Sequence, residues 1–179
     1  MLPMGRTRLT WLGLTAAIGT LIAGCGVTPT VAHAPWLTLN PATRTARMLV
    51  VMDSHPNNPG NLGLNFDDYS RGGLVFRIPQ GYHVTMVVRN DGGQAYSAGI
   101  YNARLHLAFP GAGIPLSAMR ANPDNSWIMP GQTVTYHFTA TTPGTYKLAS
   151  LLFSAPSSGK RANHLFTGMW DTVKVTPAT

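Results

Sequence analysis

The chain has 179 residues, with thirteen lysines and arginines against six aspartates, no glutamate and a single cysteine. One cysteine excludes an internal disulfide framework and any cysteine-rich metal centre, and so few carboxylates leave little material for a paired acid/base site. The basic excess is spread thinly from Arg44 to Lys174 with no block of like charge, which argues against a nucleic-acid footprint.

In chain order, Arg6 and Arg8 precede an apolar run of 16 residues, Leu9 to Gly24, that closes as Leu21-Ile22-Ala23-Gly24-Cys25. A basic start, a short apolar stretch and small residues before the cut describe a secretory signal. The run falls below the roughly 20 residues that span a bilayer. Ile-Ala-Gly-Cys resembles the bacterial lipobox, so residues 1–24 are expected to be a lipoprotein signal peptide and Cys25 the lipidated first residue of the mature chain. Two or more acyl chains on one residue hold a protein stably on a membrane, which places the chain on the outer face of the cytoplasmic membrane. Residues 25–45 contain Pro29, Pro35 and Pro41, many threonines and no acidic residue, and are expected to form an extended tether. Trp36 and Leu37 are expected to dock on the domain or to sit at the bilayer surface.

From residue 46 to residue 179 the expectation is one β domain. Strands are predicted over 47–52, 62–66, 74–78, 82–90, 98–107, 132–139, 145–152 and 169–175, from alternating apolar and polar residues. Turn signals at Pro79-Gln80-Gly81, Asp91-Gly92-Gly93 and Pro130-Gly131 separate them. About eight short strands at this spacing argue an antiparallel Greek-key sandwich. Met48, Met52 and Met86 fall on predicted strands, where methionine is core filler more often than ligand, and His83 and His137 fall at alternating strand positions. Asp53-Ser54-His55 does not make a triad by adjacency alone. Asp67 and Asp68, read as strand neighbours, should point to opposite faces.

The order of Leu74-Val-Phe-Arg-Ile-Pro-Gln-Gly81, Val88-Arg-Asn-Asp91, Pro130-Gly-Gln-Thr-Val134, Thr142-Pro-Gly-Thr-Tyr146 and Gly168-Met-Trp170 resembles a cupredoxin. Within that superfamily it is most similar to the sulfocyanins, membrane-associated blue copper proteins of acidophile respiratory chains. The resemblance runs over roughly residues 62–176 and implies a cupredoxin-like Greek-key β-sandwich. It also implies a ligand set. His164 and Met169 match the family's second histidine and its methionine. Ser150 stands at the cysteine position, and the first histidine position falls at about Ser97. The stretch from Ser150 to His164 is longer than in the family.

A serine hydroxyl is a neutral, hard donor and does not replace the thiolate of a blue centre. The expectation is therefore a sulfocyanin-like fold without type 1 copper and with no cofactor, acting as a binding or assembly subunit near an electron-transfer chain, and not an enzyme. The alternative keeps copper, either as an electron carrier or on a non-blue His164/Met169 site of a carrier or scavenger. The expected partners are membrane lipid, through Cys25, and a respiratory-chain or other membrane protein. The inserted Ser154–Arg161 loop, with Lys160 and Arg161, is a candidate partner-binding element. The scarcity of carboxylates also suits an acidic exterior, because little stability is then lost when carboxylates are protonated.

Overall fold

A computed structural model describes residues 28–53, 60–122, 126–151 and 164–178. The expected signal peptide, Cys25, His55, Lys160 and Arg161 lie outside the described residues. Among the described residues no helix is long and apolar enough to cross a membrane.

Among the described residues nine strands form two sheets: β1 (Thr30–Val31), β2 (Leu37–Asn40), β3 (Thr45–Met52), β4 (Leu74–Pro79), β5 (His83–Asn90), β6 (Gly99–Tyr101), β7 (Thr133–Thr139), β8 (Gly144–Ala149) and β9 (Trp170–Thr176). One sheet has the order β1-β4-β9-β8-β6 and the other β2-β3-β5-β7. The expected two-layer sandwich is present, but its sheets are mixed and not purely antiparallel. β1 with β4, β3 with β5, and β4 with β9 run parallel.

The alternation read in the sequence decides which side chains enter the core. In β5, Val84, Met86, Val88 and Asn90 are buried, while His83 and Arg89 are exposed and Thr85 and Val87 lie between. Met48, Met52 and Met86 are fully enclosed, as their strand positions require. Phe109 stacks on Phe138 with ring centroids 5.5 Å apart and takes the edge of Tyr146 at 5.1 Å. A second apolar cluster of Tyr101, Met119, Ala149, Leu151 and Leu165 lies against the short helix α1 (Leu116–Ala121). Sheet β1-β4-β9-β8-β6 is therefore covered on both sides along β6, which is buried at every position.

Four expectations are corrected. The stretch expected to be a free tether is folded from Thr30 onward: β1 extends one sheet, β2 the other, and Leu37 is buried. Trp36 packs on the core and meets Tyr69 edge-on at 5.8 Å; an indole and a leucine supply more apolar area than a tether would leave in water. Residues 62–66 are not a strand. A 3₁₀ turn occupies Gly60–Gly63, and Phe66 makes only isolated bridges. Asp67 and Asp68 both have positive φ, 52° and 69°, so they sit in a turn, with Asp67 buried and Asp68 exposed. The predicted strand over 98–107 shrinks to β6 because Leu105 turns back at φ 60°.

Candidate functional site

The strand register brings the singled-out residues to one end of the sandwich. Gly99 pairs with Ala149, and Ala149 with Trp170, so Ser97, Ser150 and Met169 fall just beyond the last rungs of β6, β8 and β9. Asn90, buried at the end of β5, fixes the loop that delivers Ser97: its Nδ2 donates to the carbonyls of Gln94 and Ile128 at 2.8 Å, and its Oδ1 accepts from Gly92 N–H. Tyr96 then bridges to Ile128 through both backbone groups.

Ser97, Ser150 and His164 form one buried polar network, and none exceeds 1% exposure. Ser150 Oγ lies 3.1 Å from His164 Nδ1. Ser97 N–H donates to Ser150 Oγ at 3.2 Å, the two hydroxyl oxygens are 3.5 Å apart, and Leu151 N–H donates to Ser97 Oγ at 3.0 Å. Met169 joins through its backbone: its N–H donates to His164 carbonyl at 2.9 Å, and its carbonyl accepts from Ser150 N–H at 3.3 Å. Its side chain belongs to the main core. The Tyr96 ring packs on His164 with centroids 5.5 Å apart. Burial pushes the His164 imidazole down to about 4, so it is neutral near pH 7 and can both donate and accept.

The turn between His164 and Met169 is held from outside. Thr167 hydroxyl donates to His164 carbonyl at 2.7 Å. Arg71 N–H donates to Gly168 carbonyl, and its guanidinium donates to Thr167 carbonyl at 3.3 Å and to Asn61 Oδ1 at 3.2 Å. Gly168 has φ +104°, and a Cβ there would stand 2.9 Å from Arg71 Cγ; both facts require glycine. Phe166, in the same turn, is 82% exposed.

Sequence reasoning missed three buried carboxyls behind this end. Asp171 Oδ1 accepts Leu74 N–H at 2.9 Å, Asp67 Oδ1 accepts Val51 N–H at 3.0 Å, and Tyr96 hydroxyl donates to Asp53 Oδ2 at 3.4 Å. The other oxygen of each carboxyl is buried without a hydrogen-bond partner. Burial raises Asp53, and it pushes Asp67 up to about 7 and Asp171 up to about 8. The missed signal was an aspartate at an inward position of β9, in line with Val173 and Val175.

Among the described residues no three or more histidine, cysteine or acidic side chains group to hold a metal. At the positions that the resemblance assigns to copper ligands, the donors are one imidazole, one thioether and two hydroxyls already engaged with each other, with backbone N–H groups and with His164. A blue centre takes a thiolate and two imidazoles, and these residues do not fit it.

No protein-family model matches the chain, and no curated protein matches it. Solved structures do. It is similar to a multicopper oxidase from Campylobacter jejuni at 11% identity and TM-score 0.53, over 84% of this chain and 30% of that one. It is also similar to a multicopper oxidase from Pediococcus acidilactici at 11% identity and TM-score 0.54, over 84% and 29%. A laccase from Pediococcus acidilactici matches at 14% identity and TM-score 0.53, over 83% and 29%. The chain thus spans about 30% of the length of these three structures. Its fold is that of the cupredoxins, and such low identity carries the fold alone. The expectation that the chain is not an enzyme is overturned by these comparisons: the structures sharing its fold are oxidases and a laccase, so the fold does not set it apart from enzymes.

Proposed function

We propose that the chain is a membrane-anchored, extracytoplasmic, sulfocyanin-like member of the cupredoxins without a type 1 copper centre, and that it serves as a binding or assembly subunit beside an electron-transfer chain. The observation that carries the reading is the hydrogen-bonded set Ser97, Ser150 and His164. It closes the end of the sandwich with protein–protein bonds at the positions where a blue centre would need a thiolate and a second imidazole. A satisfied buried network of this kind rigidifies its surroundings without a metal. Acyl chains on Cys25 would hold the domain at the outer face of the cytoplasmic membrane, within reach of a respiratory-chain or other membrane protein.

Titration of the full chain with Cu(I) and Cu(II), followed by elemental analysis and visible spectroscopy, tests the reading. No stoichiometric binding is the expected result. An intense blue complex would overturn it and make the chain an electron carrier. A second reading is favoured by one observation, the Met169 N–H to His164 carbonyl hydrogen bond at 2.9 Å, which ties the two residues to one turn. Imidazole and thioether donors suit Cu(I), and stoichiometric colourless copper, lost in His164→Ala, would make this a copper carrier or scavenger.

A further inference from the structure

The outer face of sheet β2-β3-β5-β7 is unlike the rest of the molecule. Its register sets Thr38, Arg47, Thr85 and His137 side by side on one rung, and Asn40, Thr45, His83 and Thr139 on another. An open cleft of about 280 Å³ lies among them, lined by Thr38, Asn40, Thr45, Ala46, Arg47 and Thr85. None of the six is acidic, and Arg47 has no ion-pair partner among the described residues.

The hydrogen bonds already made decide what the cleft has left to offer. Asn40 Oδ1 accepts from Ala42 N–H at 3.1 Å and Thr43 N–H at 3.3 Å, which leaves the Nδ2 donors of that amide. Thr45 Oγ1 is 2.8 Å from Thr43 Oγ1, and Thr85 Oγ1 is 3.3 Å from His137 Nδ1, so each hydroxyl is held in place by a neighbour. The remaining groups are the five N–H donors of a guanidinium, an amide NH₂ and the Thr38 hydroxyl, an inventory dominated by donors with one fixed positive charge.

We infer that this cleft binds a phosphate group carried on a small body, with the Arg47 guanidinium as the bidentate partner and Asn40 and Thr38 completing the set. Arginine's planar fork matches two oxygens of a tetrahedral oxyanion. The volume lies at the lower edge of the range for small-molecule sites, which suits a headgroup and not an extended ligand. Two sources share this chemistry, a soluble phosphate ester and the headgroup of an anionic phospholipid.

The test is a titration of the full chain at fixed ionic strength with inorganic phosphate and, separately, with glycerophosphoglycerol, the water-soluble headgroup of phosphatidylglycerol. It is read by amide chemical shifts across β2, β3 and β5. Arg47→Gln is compared with Arg77→Gln, which removes an equal charge from an exposed position on the other sheet. Saturable shifts centred on Thr38, Arg47 and Thr85 are expected, with affinity lowered about tenfold or more in Arg47→Gln, as for loss of a charged hydrogen-bonding group, and unchanged in Arg77→Gln. Tighter binding of inorganic phosphate assigns the site to a soluble ester, and tighter binding of the diester assigns it to lipid. Equal affinity supports the shared chemistry. No saturation by either probe, or an equal loss in Arg77→Gln, overturns the inference.

Discussion

Two hydroxyl–imidazole pairs stand in different surroundings in this molecule. At the end of the sandwich Ser150 Oγ lies 3.1 Å from His164 Nδ1, both sealed from water. On the open face of β5 and β7, Thr85 Oγ1 lies 3.3 Å from His137 Nδ1, with the histidine exposed. The chemistry of the two contacts is the same, yet only the first is bound to the fold. Its serine also takes the N–H group of Ser97 in the interior, whereas water can replace either partner of the second. Burial therefore makes one pair structural and leaves the other free for recognition.

The sharpest way to break the contrast is to restore the missing donors. Ser97→His combined with Ser150→Cys would place a thiolate and a second imidazole beside His164 and Met169, the donor set of a blue centre. The double variant is expected to take up stoichiometric copper with intense visible absorption; a colourless protein would show that the backbone here does not hold copper-site geometry.

The next largest effect comes from the carboxyls behind the buried pair. Asp67, raised to about 7 by burial, keeps its proton in the folded state while the unfolded chain ionises near 4. Its contribution is complete below about pH 4 and is lost as pH rises through 7, a change on the order of 4 kcal/mol by linkage. Asp171 shifts in the same direction. His164 opposes them: lowered to about 4, it loses stability as pH falls from 6.5 towards 4. Two raised carboxyls outweigh one lowered imidazole, so thermal unfolding should occur at higher temperature at pH 5 than at pH 8. Asp67→Asn should remove much of the difference. A midpoint that climbs from pH 5 to pH 8 would contradict the assignment and the acid-adapted reading of the composition together.

The strands of this fold were legible where alternation is long, as in β5 and β7, because each second residue must enter the core. β1 and β2 were not, since two and four residues beside prolines carry no period of their own; only pairing with β4 and β3 orders them. Residues 62–66 misled because Leu62, Leu64 and Phe66 alternate in sequence while Asn61 and Gly63, at φ 52° and 79°, bend the chain into a turn. Ser97, Ser150, His164 and Met169 were singled out by the resemblance to the cupredoxins, and the strand register carries them to one end. Tyr96 and Arg71 could not, because their roles arise from contacts between segments distant in sequence.

Smaller effects separate the two pairs directly. Gly168→Ala meets both a positive φ and Arg71, and should lower the unfolding midpoint while shifting the His164 ring resonances, because the turn carrying that ring must move. Ser150→Ala strands the His164 nitrogen and Ser97 N–H in the interior and should cost about 1–3 kcal/mol by denaturant unfolding. Thr85→Ala removes the matching hydroxyl from the open face. Water is available there to His137 Nδ1, and the change should stay within about 0.5 kcal/mol. A Thr85→Ala cost equal to that of Ser150→Ala would mean that the outer pair is held as tightly as the buried one.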